Sequence, residues 1–189
     1  MKSYRSSRKG SQKSRKHLRD LALSLINELC PKNVVEHCKA VSKTALEIAK
    51  QIKANGYDVD LEYVEIGALL HDIGRCKTHG IAHGVEGAKI LEKYPEFKRF
   101  ARVCETHIGA GITKDEAKLL NLPPKDYLPE TLEEKIIAHA DNLTMEDKKV
   151  PIEVTIARLE KRLGKNHPAI SRVKKLNDFI ENLIRNPRS

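Results

Sequence analysis

The sequence of 189 residues is poor in aromatic residues and has no long apolar run. Phe, Tyr and Trp make up 4% of the chain, and no stretch alternates apolar and polar residues as half-buried strands do. No segment approaches the about 20 consecutive apolar residues of a membrane span, and none follows the basic N-terminus as a secretory signal would. These absences predict an all-α domain in a soluble, cytoplasmic protein with no membrane partner.

Cysteine is also scarce, and its spacing argues against a framework of disulfides. The four cysteines stand alone, without a Cys-x-x-Cys pair: Cys30, Cys38, Cys76 and Cys104. A small secreted domain held by disulfides would need a denser framework in a shorter chain. We therefore expect free thiols in a reducing compartment.

Acidic residues are missing from the first 19 residues, which contain eight Lys or Arg. The remainder has 27 basic and 26 acidic residues, so the net charge of +9 does not indicate a basic groove on the folded part. Residues 1–17 lack the apolar groups that would offset ordering entropy, which predicts a disordered basic arm. Residues 1–19 could contact RNA, DNA or an acidic partner, or they could form a solvated extension without a partner.

Apolar residues repeat at spacings of three and four through residues 18–189, which predicts one helical domain. Pro31 and Asn55-Gly56 delimit the second helix, and Asp60 caps a third helix that leads to His71. Further helices are predicted from His83, from about Pro95, after capping boxes at Thr113 and Thr131, and near residues 151–163 and 168–184. We expect a core over residues 34–144 and packing helices over residues 151–185.

Six imidazoles and carboxylates lie on the inward side or at the end of predicted helices: His37, His71, Asp72, His83, His107 and Asp141. Asp141 follows an apolar stripe, and a buried carboxylate needs a cation or hydrogen-bond donors. A single inward histidine is more often simply hydrogen-bonded in the core. The set contains an adjacent His71-Asp72 pair, whose directions differ by about 100° on a helix, so it favours a shared metal ion.

Other polar residues are less indicative of function. His139 is two residues before Asp141, so we expect it on the opposite face of the same helix and at the surface. His79 and Lys77 follow the His71-Asp72 pair in a loop, where such residues are more often solvated than bound to substrate.

The order and context of the six residues resemble the HD superfamily of metal-dependent phosphohydrolases, which share an all-helical fold. The resemblance spans His37 to Leu143 and rests on three elements: His37, His71-Asp72-Ile73-Gly74 and Ala140-Asp141-Asn142-Leu143. It implies that one metal ion is held by four residues: His37, His71, Asp72 and Asp141. The chain is similar to uncharacterised archaeal HDIG-type proteins, which implies no substrate.

Two further histidines resemble those of dinuclear members of the superfamily. They lie in His83-Gly84-Val85-Glu86-Gly87-Ala88 and Thr106-His107-Ile108-Gly109. The resemblance implies that His83 and His107 bind a second ion and that Asp72 bridges the two. Four imidazoles and two carboxylates suit Fe, Mn, Ni or Zn better than Mg or Ca. Arg75 stands where many HDIG proteins have Lys, and we expect its planar guanidinium to contact phosphate.

We therefore expect a metal-dependent phosphohydrolase that hydrolyses a phosphate ester or anhydride of a nucleotide-like substrate. Asp72 and Arg75 are the expected catalytic residues. Two alternatives remain open. The protein could be an RNA-directed cyclic phosphodiesterase or nuclease, or a non-catalytic nucleic-acid-binding or regulatory module that uses the basic arm.

Overall fold

The computed structural model describes the backbone of residues 4–188 and the side chains of residues 15–188. Its helices are α1 (Tyr4–Leu29), α2 (Lys32–Ala54), α3 (Leu61–Leu70), α4 (His83–Leu91), α5 (Ala101–Thr106), α6 (Lys114–Leu119), α7 (Leu132–Asn142), α8 (Ile152–Leu163) and α9 (Pro168–Arg185). The predicted all-α class is confirmed. Within the described ranges, we find no helix whose length and apolar character would let it cross a membrane.

One short hairpin was not expected from the sequence. Strands β1 (Thr144–Met145) and β2 (Lys148–Lys149) pair antiparallel directly after α7. Each strand has two residues, which is too short for an alternating apolar pattern to be visible. Glu146, in the turn, has a φ of 55°. No strand pattern predicts the hairpin, and it forms where its strands pack against α2 and α7.

Most of the helix ends lie where the local signals placed them. The Asp60 carboxylate accepts hydrogen bonds from two amides at the start of α3, and Thr113 forms a complete capping box at the start of α6. At Thr131 only half of the predicted box forms, because the Glu134 carboxylate accepts from the Glu130 amide instead. The helix predicted from about Pro95 is also shorter, because α5 follows a 3₁₀ turn at Lys98–Phe100.

The long helix α2 lies at the centre of the fold, where it packs against α3 and α7. One apolar cluster joins α1 and α2 to α3, α4 and α5, and includes Ile26, Leu70 and Phe100. A second joins α2 and α3 to α7 and α9, and includes Ile52 and Ile137. The ends of α3, α5 and α7 meet α2 between these clusters, which brings their terminal residues together.

Helix α1 extends into the segment that the sequence predicts to be a disordered arm. The Arg15 Nε donates to the Glu65 carboxylate at 2.8 Å, and the Arg19 Nε donates to the same carboxylate at 3.0 Å. The backbone is helical from Tyr4 onward, and Arg15 holds this part of α1 against α3. Residues 1–3 and the side chains of residues 4–14 lie outside the described part of the chain, and a separate basic arm over residues 1–17 stays a prediction.

Candidate metal centre

All six predicted site residues lie close together, although five different segments supply them. They are His37 in α2, His71 and Asp72 just after α3, His83 at the start of α4, His107 just after α5, and Asp141 near the end of α7. His71, Asp72, His83 and His107 are almost completely buried. The packing of helix ends around α2 therefore creates one polar cluster inside the domain.

The Asp72 carboxylate lies between two pairs of imidazoles. Its Oδ2 is 3.8 Å from the Nε2 atoms of both His37 and His71. Its Oδ1 is 3.2 Å from the Nε2 of His83 and 3.3 Å from that of His107. Each oxygen thus faces a different pair of nitrogen atoms, which is the arrangement that a carboxylate shared between two cations requires.

Asp141 completes the first of these pairs. Its Oδ1 is 3.0 Å from His37 Nε2 and 3.5 Å from His71 Nε2. The ligand atoms of His37, His71 and Asp141 all lie within 4.8 Å of one another, as do those of a second trio formed by His71, Asp72 and His107. Both trios combine nitrogen and oxygen donors, which suits a divalent transition metal.

The other nitrogen of each imidazole is held by a backbone carbonyl. Three of the carbonyls are three residues earlier in the chain: His71 Nδ1 bonds Ala68 O at 2.7 Å, His83 Nδ1 bonds Gly80 O at 2.7 Å, and His107 Nδ1 bonds Cys104 O at 2.8 Å. His37 Nδ1 bonds the Glu146 carbonyl in the hairpin at 2.7 Å. A carbonyl oxygen only accepts, so Nδ1 carries a proton in each imidazole, and in the neutral form every Nε2 presents a lone pair to the cluster.

These lone pairs are not satisfied by protein donors. The Nε2 atoms of His83 and His107 lie 3.1 Å apart, although both are acceptors when Nδ1 is protonated. Among the described residues, the buried His71 Nε2 and Asp72 Oδ1 have no hydrogen-bond partner. Two acceptors in contact, and buried acceptors without donors, need a proton or a cation. The residues present therefore fit metal ions at this position.

The pKa values of the cluster show how strongly its charges interact. Burial lowers the pKa of His71, but the Asp72 and Asp141 carboxylates outweigh it and leave that pKa well above its ordinary value. Burial raises the pKa of Asp72, but the neighbouring His71, His107 and His83 imidazoles hold it well below the usual range. The carboxylates thus stay ionised and attract a positive charge into a buried site.

Arg75 contacts the cluster through Asp72. Its Nε donates to Asp72 Oδ2 at 2.5 Å, and its side chain also lines an adjoining cleft with a volume of about 1070 Å³. His37, Asp72 and His79 line the same cleft, whereas Lys77 is exposed and does not line it. The phosphate contact expected of Arg75 is thus compatible with its position, but its first partner is the central carboxylate.

One expectation from the sequence is wrong. His139 was expected at the surface, but it is 1% exposed, and among the described residues neither ring nitrogen has a hydrogen-bond partner. Helix α7 packs against α2, α3, α5, α9 and β1, so the face opposite Asp141 is covered as well. Burial lowers the pKa of His139 to about 4, so this imidazole is neutral at pH 7.

Sequence reasoning also missed several residues that line the cleft. Lys32 and Asn33 come from the first turn of α2, and Arg158 comes from α8. Asn33 precedes His37 by four residues, so helical spacing could have identified it. Arg158 is more than 80 residues away from the His71-Asp72 pair in sequence, and no local pattern indicates that it lies near the cluster.

Comparison with known proteins identifies relatives of the chain. A family model described as HD domain matches residues 34–146. An uncharacterised protein of Methanocaldococcus jannaschii is 60% identical over 164 residues, which are 87% of this chain and 97% of the relative. A tRNA (cytidine(56)-2'-O)-methyltransferase of Picrophilus torridus is 44% identical over 151 residues, which are 79% of this chain but only 42% of the methyltransferase.

A solved structure shares the fold. The HD domain of the phosphodiesterase PgpH from L. monocytogenes, crystallised with cyclic-di-AMP, superposes with a TM-score of 0.52. The alignment covers 89% of this chain and 98% of that domain, at 18% sequence identity. At this identity the likeness shows the fold alone. The resemblance predicted from the sequence motifs is confirmed by the family match and by this fold.

Proposed function

Because the chain belongs to the HD domain family, we propose that it is a phosphohydrolase with two divalent metal ions. Its substrate would be a phosphate ester or anhydride of a nucleotide. The observation that carries the proposal is the Asp72 carboxylate, whose two oxygens face two separate pairs of imidazole Nε2 atoms.

Each of the six residues has a role in this proposal. One ion would be held by His37, His71, Asp72 and Asp141, and the other by His83, His107 and the shared Asp72. When bound, two such ions lower the pKa of a water and stabilise the attacking and leaving oxygens of an in-line displacement. Arg75 would orient Asp72 through its Nε, and its remaining N–H groups, on the cleft side, would donate to a phosphoryl oxygen.

Two observations support a nucleotide as the substrate. The cleft beside the cluster has a volume of about 1070 Å³, which is at the upper end of the about 300–1,000 Å³ of typical small-molecule pockets and large enough for a nucleotide. The similarly folded HD domain of PgpH was solved with cyclic-di-AMP. A nucleotide, with one phosphate at the cluster and its base in the cleft, would use both features.

The test is metal analysis followed by a substrate panel on the same sample. We expect two ions per chain and hydrolysis of at least one class among dinucleoside polyphosphates, mononucleotides and cyclic phosphates. Asp72→Ala should lose both ions and the activity, whereas His83→Ala should lose one ion. His17→Ala, which replaces an exposed histidine of α1, is the control and should keep both. Unchanged metal content in Asp72→Ala would refute the shared carboxylate.

A second candidate is an enzyme that acts on RNA. The matched segment in Picrophilus torridus is part of a longer protein named for tRNA modification, which favours an RNA-related role, and the basic N-terminus could supply the contact. Deleting residues 1–14 keeps Arg15 and Arg19 on Glu65. We expect this deletion to weaken binding of tRNA and to leave dinucleotide hydrolysis unchanged. A non-catalytic module would instead bind RNA and hydrolyse no member of the panel.

A further inference from the structure

The cleft beside the cluster is larger than a metal centre alone requires. Of the six predicted site residues, only His37 and Asp72 line it. Most of its wall is therefore formed by side chains that have no role in holding an ion. These side chains face whatever part of a substrate extends away from the reacting phosphate.

Two cations lie in this outer wall without an anionic partner among residues 15–188. Lys32 is at the start of α2, Arg158 is in α8, and both side chains are exposed. Two other charged groups of the cleft are already paired, Arg75 with Asp72 and Glu36 with Lys39. Within the part of the chain whose side chains are described, no ion pair is formed by Lys32 or Arg158.

The two cations of the cleft wall come from outside the segment that defines the family. Both Lys32 and Arg158 lie outside residues 34–146, which the family model matches. All residues of α8 are described, and none of them is fully buried. One face of this helix packs Ile152, Ile156 and Leu159 against the second apolar cluster, and another face places the Arg158 guanidinium at the cleft.

The cleft also contains carboxylates, which limit the kind of anion that it can hold. Glu146 and Asp147, in the hairpin turn, line it together with Lys32 and Arg158. A uniformly charged chain such as inorganic polyphosphate would meet these carboxylates unfavourably. A nucleotide offers phosphate oxygens to the cations and sugar hydroxyls or base amino groups to the carboxylates.

We propose that Lys32 and Arg158 form a second phosphate-binding subsite, so that the substrate is a dinucleotide with a further phosphate beyond the scissile one. This inference rests on the proposed function, because it takes the six-residue cluster as the position of the scissile phosphate. The volume of the cleft and its hairpin carboxylates, which would meet sugar or base groups, favour a linear dinucleotide with a terminal phosphate over a mononucleotide.

The test compares two dinucleotides that differ in one group. The probes are pApA and ApA, which share one phosphodiester, while pApA alone carries a 5′-phosphate. Binding is measured by calorimetry on the full chain in EDTA, and hydrolysis is measured separately with Mn²⁺. The variants are Lys32→Ala, Arg158→Ala and the double variant. Arg162→Ala is the matched control, because Arg162 lies one turn further along α8 and lines a different cavity.

We expect the wild-type protein to bind pApA at least about tenfold more tightly than ApA, since a charge-assisted hydrogen bond contributes about that factor. Arg158→Ala and Lys32→Ala should each reduce this preference, and the double variant should abolish it while its affinity for ApA stays unchanged. Arg162→Ala should keep the full preference. Equal binding of the two probes by the wild type, or an undiminished preference in the double variant, would overturn the subsite.

Failure of the subsite and failure of the proposed function give different results. Hydrolysis of both probes without a preference for pApA would retain the hydrolase and reject the subsite. A preference for pApA that depends on Lys32 and Arg158, without hydrolysis of any phosphate ester, would support the subsite and reject the hydrolase.

Discussion

Gly74 allows the turn after His71 and Asp72 to lie directly against α4, and we predict that Gly74→Ala disrupts the site. A Cβ at this position would overlap the carbonyl oxygen of His83 and would lie 2.5 Å from the backbone nitrogen of Gly87. Cβ contacts under 3.0 Å are essentially never found. Both obstructing atoms belong to the backbone, so no side chain can rotate to make room.

The size of the effect follows from these contacts. Relief of the contact with the Gly87 nitrogen alone requires a movement of about 0.5 Å, from 2.5 Å to 3.0 Å, and the overlap with the His83 carbonyl oxygen is closer, so the turn at residues 73–76 must move away from α4 by more than this. Overpacking of this kind costs about 1–3 kcal/mol, and about 2 kcal/mol corresponds to about 4–8 °C in Tm for a domain of this size. The same movement separates Asp72 Oδ1 from His83 Nε2, now 3.2 Å apart.

Thermal unfolding and metal content of the purified variant test this reasoning. We expect a Tm about 4–8 °C below that of the wild type and a loss of the ion between Asp72 and His83. Gly80→Ala is the matched control, because the nearest atom to its added Cβ is Thr78 Oγ1 at 3.5 Å, an ordinary contact. If Gly74→Ala kept the wild-type Tm and metal content, the close approach would not be what organises the site.

Three further predictions concern stability. His139→Leu should stabilise the protein by about 1–3 kcal/mol at pH 7 in urea unfolding, because it removes a buried imidazole with no partner among the described residues. The pKa of His139 is depressed to about 4. The wild type should therefore lose up to about 3 kcal/mol of stability as pH falls from about 6.5 towards 4. His139→Leu should lose less stability over this range, and an identical pH dependence in the two proteins would contradict the assignment. Glu65→Ala should cost about 1–2 kcal/mol and speed proteolysis near the N-terminus, because Arg15 and Arg19 share its carboxylate; unchanged proteolysis would mean that the contact does not hold α1. Mn²⁺ at about 100 times its Kd should add about 2.7 kcal/mol to the free energy of unfolding for each site that it occupies. Asp72→Ala should abolish this gain, and an equal gain in both proteins would place the ions elsewhere.

The helix boundaries and the identity of the clustered residues could be predicted because both depend on local signals. The carboxylate of Asp60 and the hydroxyl of Thr113 accept amides of their own helices, so a few consecutive residues contain all the information. The inward position of Asp141 followed from its spacing from Ile137 on one helix. Convergence of the six residues came from the family resemblance, because spacing within a helix does not determine how helices pack.

The burial of His139 could not be predicted for the same physical reason. Helical periodicity identifies the most apolar face of α7, and that face contains Ile137 and Ala140. The number of faces that are covered depends on how many elements surround the helix, and α7 is contacted from several sides. A central helix can therefore bury a polar residue on its second face, and an imidazole without partners makes that burial costly.

The tautomers of three of the four histidines are set by nearby residues in the chain, and that of His37 is set by a tertiary contact. His71 and His107 immediately follow helices and His83 begins one, and each Nδ1 reaches the carbonyl three residues earlier. At the C-terminal end of a helix such carbonyls lack the usual i+4 amide partner, so a histidine that follows a helix, such as His71 or His107, can be expected to present Nε2 to its surroundings. Gly80 precedes α4, and its carbonyl accepts both the backbone N–H and the Nδ1–H of His83. His37 lies inside α2, where the preceding carbonyls are used by the helix itself. Its Nδ1 therefore needs a remote acceptor, the Glu146 carbonyl, and the two-residue strands of the hairpin hold that acceptor in place.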